Sequence, residues 1–96
     1  MALLDELLRR RLELLSIFGR YRASNPRIFG SVARGEETAE SDIDLLVDLP
    51  DALTLFDVAA LQLDLEAALQ RHVDLVTERE IHRRIKPQVL NEAFAL

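Results

Sequence analysis

The sequence predicts an α+β sandwich in which a small mixed β-sheet has helices packed on it. Three observations lead there: helix-like and strand-like hydrophobic periods alternate along the chain, the strand-like runs are short, and turn or capping residues separate them. Met1 to Phe18 reads as a helix, because Leu4, Leu8, Leu12 and Leu15 recur at spacings of four and three, with Arg9, Arg10 and Arg11 largely off that stripe. Asp5 and Glu6 near its start and Arg20 near its end suit the helix dipole. Ser24-Asn25-Pro26 is a turn signal, followed by a short strand, Arg27-Ile28-Phe29, that runs into Gly30-Ser31. Ser31 to Arg34 fits one helical turn closed by Gly35, and Glu36 to Ser41 is a polar loop.

The clearest strand is Asp42 to Leu49. Ile43, Leu45, Val47 and Leu49 share one face, and Asp42, Asp44, Leu46 and Asp48 share the other. Pro50 and Asp51 end it. Thr54 with Asp57 forms a capping-box pattern that opens a helix running to Gln70, with Phe56, Ala60, Leu63 and Ala67 on one face. His72 to Val76 is a third strand, apolar after His72 except for Asp74. Thr77 and Glu80 repeat the capping pattern, and Pro87 begins a last short helix packed down by Val89, Leu90 and Phe94.

Composition narrows the function. A chain of 96 residues fits one domain, and 49% apolar with 30% charged residues is a globular balance. A net charge of −5 disfavours direct nucleic-acid binding, which needs a basic surface. The absence of cysteine excludes disulfides, thiolate metal sites and a cysteine nucleophile. No apolar stretch reaches membrane-spanning length and the N-terminus lacks a signal-peptide pattern, so no membrane association and a cytoplasmic location are expected.

The chemistry concentrates in GSVARGEETAESDIDLLVD, residues 30–48. Asp42 and Asp44, two residues apart on a strand, leave the same face, and carboxylates that close repel unless something neutralises them. Magnesium is the simplest neutraliser: it prefers carboxylate oxygens and takes further ligands from substrate phosphates. Asp74 holds the matching place in the next strand, so three carboxylates converge if the two strands are neighbours in register. Gly30 lets the backbone approach a ligand, Ser31 offers a hydroxyl and nearby N–H groups to an anion, and Arg34 adds a guanidinium suited to phosphate. Singly, Gly-Ser is an ordinary turn and Asp-x-Asp a solvated strand end; their order along the chain is far more specific. Asp48 reads as a strand-end residue, and His72 and His82 as surface residues.

GSVARG followed by SDIDLLVD, with VDLV at residues 73–76, resembles the DNA polymerase β-like nucleotidyltransferase superfamily. Within it, the match is to the minimal nucleotidyltransferases, antitoxin-type partners of HEPN-domain toxins. The resemblance implies a nucleotidyltransferase fold and a single minimal domain over 1–96. It implies that Gly30 and Ser31 hold the triphosphate of ATP and that Arg34 takes a nucleotide-binding place beside them. It assigns Asp42, Asp44 and Asp74 to catalysis and to Mg2+, as two ions. The implied reaction transfers AMP to a tyrosine of a HEPN RNase toxin bound in a hetero-oligomer. Two other functions stay open: an antitoxin that neutralises by contact alone, and a small-molecule nucleotidyltransferase, which a chain so short leaves little room for.

Overall fold

The computed structural model describes residues 2–96; Met1, which opens the expected first helix, lies outside them. Strands β1 (Ser24–Phe29), β2 (Ile43–Asp48), β3 (Val73–Val76) and β4 (Phe94–Ala95) form one sheet in the order β3-β2-β1-β4. β1 runs antiparallel to β2 and β4, whereas β2 and β3 are parallel. The sheet is therefore mixed, as expected. The parallel pair requires a crossover, which helix α4 (Leu55–Leu69) supplies.

The alternation along β2 decides the layers. Ile43, Leu45 and Val47 are buried in one cluster with Leu61 and Leu65 of α4 and with Leu14, Ile17 and Phe18 of α2 (Arg11–Arg20). Leu46, on the opposite face, is also fully buried, and α5 (Lys86–Glu92), which packs against α3 and β1, buries Val89. α3 (Gly30–Arg34) packs against β1 and β2 through Val32, which is fully buried. The α4 capping box is present: Thr54 Oγ1 accepts from the Asp57 amide and Asp57 accepts from the Thr54 amide. A second box, Thr77 with Glu80, caps a 3-10 turn over Glu78–Glu80. Pro87 lies in the first turn of α5, as expected.

Four local expectations are corrected. The first helix is two, α1 (Leu3–Arg9) and α2, divided at Arg10. The buried residues are Leu7, Leu14, Ile17 and Phe18, while Leu12 of the expected stripe is 80% exposed. Leucines at 3, 4, 7, 8, 12, 14 and 15 offer two stripes, and the one that Phe18 continues is buried. Ser24-Asn25-Pro26 lies inside β1, where the register shifts and Asn25 adopts φ +52. A strand absorbs this as a bulge, at which Asn tolerates the left-handed conformation and Pro lacks an amide to pair. In α4 the expected face is turned outward: Phe56 is 87% and Leu63 64% exposed, and Leu61 and Leu65 are buried. That helix is apolar nearly all round, so period alone does not choose its face. Finally, Leu90 and Phe94 are partly exposed; Phe94 opens β4, and the buried residue at this end is Leu96. Among the described residues no helix is long and apolar enough to cross a membrane.

Candidate active site

Three strands deliver the site residues to one transverse level of the sheet. Phe29 at the end of β1 pairs with Asp44 of β2, and Asp44 pairs with Asp74 of β3. Parallel neighbours in register present their side chains on the same face, so Asp74 joins Asp44 as the sequence anticipated. Asp42 lies in the loop one residue before β2, exposed to solvent.

Gly30 follows Phe29 and turns the chain into α3. It adopts φ +72, and a Cβ there would strike Asp44 Oδ2. Glycine is required twice over, by the left-handed backbone and by the close approach of a carboxylate. Gly35, at φ +71, ends α3 as a left-handed cap. Ser31 stands between Gly30 and the buried Val32, and its hydroxyl engages no other side chain or backbone group among the described hydrogen bonds.

The carboxylates sense each other. The Asp44 carboxyl is held above its ordinary pKa, first by burial, then by the charges of Asp74 and Asp42; Arg34 opposes this. No described hydrogen bond or ion pair engages Asp42, Asp44 or Asp74. Asp48, on the same face of β2, contrasts with them: the Arg27 guanidinium holds it at 3.0 Å. Free carboxylate oxygens under mutual repulsion fit a hard divalent cation such as Mg2+. Among the described residues no three His, Cys, Asp or Glu side chains close into a metal-holding group by themselves. Oxygen donors from a bound triphosphate would complete such a shell.

Arg34, in the last turn of α3, is engaged by acidic neighbours. It pairs with Glu36 and, at 3.0 Å, with Glu92, while its charge reaches Asp44. His72 pairs with Glu66, and His82 Nδ1 accepts from the Arg84 amide, so both histidines serve local structure. A cleft of about 510 Å³ lies at the far ends of β2 and β3, lined by residues such as Asp48, Pro50, Thr77 and Lys86; it is not the acidic site.

Arg71 belongs to no motif in the sequence. Its Nη1 donates to the carbonyls of Thr38 and Ser41, both at 3.0 Å, and so grips the loop that precedes Asp42. The backbone of Val73 is held from α4, with Gln62 Nε2 donating to its carbonyl and Glu66 Oε2 accepting from its amide, both at 2.9 Å. That amide is the chief reason the Glu66 carboxyl lies below its ordinary pKa.

A family model described as the nucleotidyltransferase domain matches residues 8–96. A Methanocaldococcus jannaschii protein provisionally named protein adenylyltransferase MJ0435 is 40% identical over 90 residues, covering 94% of each chain. A solved structure provisionally described as a minimal nucleotidyltransferase superposes with a TM-score of 0.83 at 47% identity, covering 97% of this chain and 95% of that one. A crystal structure of a toxin–antitoxin with AMP-PNP superposes with a TM-score of 0.72 at 26% identity, covering 88% of this chain and 69% of that one.

Proposed function

Since this chain belongs to the nucleotidyltransferase domain family, we propose that it transfers AMP from ATP to a tyrosine hydroxyl of a partner HEPN RNase toxin and thereby silences it. The observation that carries the reading is the register that sets Asp44 beside Asp74, with Gly30 against Asp44 and Asp42 within reach of its charge. The name of the M. jannaschii relative supports a protein acceptor, and the toxin–antitoxin structure with AMP-PNP supports a toxin partner and an adenine nucleotide. The chain acts as a single minimal domain in a hetero-oligomer.

Gly30 and Ser31 orient the triphosphate, the glycine by close backbone approach and the serine by its hydroxyl. Asp42, Asp44 and Asp74 would hold Mg2+, which when bound supplies charge that offsets the negative charge building at the α-phosphorus. Asp74, exposed at the outer edge of the row, orients the incoming tyrosine and takes its proton. The tyrosine oxygen bonds to the α-phosphorus, the bond from that phosphorus to the bridging oxygen breaks, and pyrophosphate leaves.

Neutralisation by contact alone is favoured by one observation. Leu55, Phe56 and Leu63 of α4, with Leu12 of α2, leave large apolar side chains exposed, as a protein-binding surface does. Incubation with α-labelled ATP, Mg2+ and the neighbouring gene's product separates the two. Label on that product, lost with Asp42→Asn, is the outcome for the transferase. Inhibition of the toxin without label refutes it in favour of contact.

A further inference from the structure

We propose that Arg71 is a positioning residue: its guanidinium ties the loop ending in Asp42 to the segment that begins β3, and so sets the spacing of Asp42 and Asp74. The inference rests on the acidic-site reading above and concerns what holds that site in shape.

Asp42 lies outside the ladder of β2, so the sheet alone does not fix it. Two bonds flank it. On one side the Ser41 carbonyl accepts from Arg71 Nη1 at 3.0 Å, and on the other the Ile43 amide donates to the His72 carbonyl at 2.9 Å. Both partners belong to residues 71–72, immediately before the strand that carries Asp74. Asp42 is thus anchored to the same short segment as the carboxylate it must work with. Arg71 also takes the Thr38 carbonyl, and the loop closes on itself there: the Thr38 amide donates to Ser41 Oγ at 2.8 Å, and the Ser41 amide to the Thr38 carbonyl at 3.1 Å.

The guanidinium is committed to this task. Among the described residues no ion pair involves Arg71, and it is not among the charges that move Asp44, whereas Arg34 is. Its contribution is therefore geometric: one rigid planar donor spanning two carbonyls of a polar loop. A carboxylate pair sharing a cation tolerates little error in spacing, and groups that orient metal ligands are worth about 10–100-fold in affinity when removed.

The test compares wild type, Arg71→Ala, Arg71→Lys and Asp42→Asn by amide hydrogen exchange and by binding of Mg·AMP-PNP. Arg71→Ala should speed exchange of the Ser41 and Ile43 amides by roughly 10-fold or more, the effect of losing charge-assisted hydrogen bonds. The Leu61 and Leu65 amides, deep in α4, should stay at wild-type rates, which shows that the fold is intact. Mg·AMP-PNP should bind about 10–100-fold more weakly, and Arg71→Lys, which keeps a cationic donor, should recover part of both effects. Wild-type exchange at residues 41–43 in Arg71→Ala overturns the tether. Faster exchange with unchanged Mg·AMP-PNP affinity overturns its role in spacing. Asp42→Asn binding as well as wild type overturns the acidic-site reading itself, a result distinct from either.

Discussion

Asp44→Asn removes charge from the most crowded acidic position while keeping side-chain size. Like charges directly opposite on neighbouring strands destabilise by roughly 0.2–1 kcal/mol, and Asp44 faces Asp74 in register with Asp42 adding to the repulsion. For a domain of this size 1 kcal/mol corresponds to about 4–8 °C in Tm. Metal-free Asp44→Asn should therefore melt about 1–8 °C above wild type at pH 7. The pH dependence follows from the raised pKa of Asp44 in the folded chain. The folded state binds the Asp44 proton more tightly than the unfolded state, so wild type loses stability as pH rises from the unfolded value through the folded one. The gap between variant and wild type should be absent below about pH 4, the unfolded value, and open above it. Thermal unfolding by circular dichroism from pH 3 to 8, with chelator present, measures this. A variant that melts below wild type at pH 7 would mean that Asp44 supports the fold, and the repulsion reasoning would fail. A gap that does not change with pH would remove charge as its cause. In the same variant AMP transfer should fall more than about 100-fold, beyond what loss of an orienting group alone produces.

Gly30→Ala should cost about 1–3 kcal/mol through left-handed strain and displace the Asp44 carboxylate; denaturant unfolding measures it. Pairing it with Asp44→Ala, which leaves only a Cβ at 3.3 Å, should recover part of the loss, and strict additivity would refute the collision. Arg34→Ala should raise the Asp44 titration further, because Arg34 opposes the burial and the acidic neighbours; an unmoved carboxyl signal in an NMR titration would refute that coupling. Thr54→Ala should cost about 1 kcal/mol through the lost cap while leaving Mg·AMP-PNP binding unchanged, and an effect on binding would show that α4 communicates with the site.

Polar punctuation was the most legible part of the chain. The capping pairs Thr54/Asp57 and Thr77/Glu80, the Gly35 stop and Pro87 in the first turn of α5 all occur where the residues placed them, because each acts through its own backbone neighbours. Facing was legible only where the pattern was near-binary. β2 alternates carboxylate with aliphatic except at Leu46, so its faces follow; α1, α2 and α4 carry surplus leucine, so a stripe read by period alone has a rival. α4 buries Leu61 and Leu65 and is tied to other elements by Gln62 and Glu66 to Val73 of β3 and by Tyr21 to Asp64, the last across 43 residues, pairings that helical period does not encode. Arg71 was invisible for the same reason, since its partners lie about thirty residues away and are carbonyls, which every residue possesses.

The register of β2 against β3 connects folding to chemistry. Because side chains alternate with period two, a slip of one residue would turn Asp74 to the face opposite Asp44. The same slip would expose Val73, now fully buried, and turn Asp74 toward the cluster containing Leu61 and Leu65. Burying an unpaired carboxylate there costs several kcal/mol, roughly, far more than the repulsion of roughly 0.2–1 kcal/mol between Asp44 and Asp74. The core therefore overrules the charges: Ile43, Leu45, Val47 and Val73 force two carboxylates side by side that electrostatics would separate. Hydrophobic burial thus holds Asp44 and Asp74 side by side with their carboxylates unpaired among the described residues, and a cation bound there would return the stability that the repulsion removes.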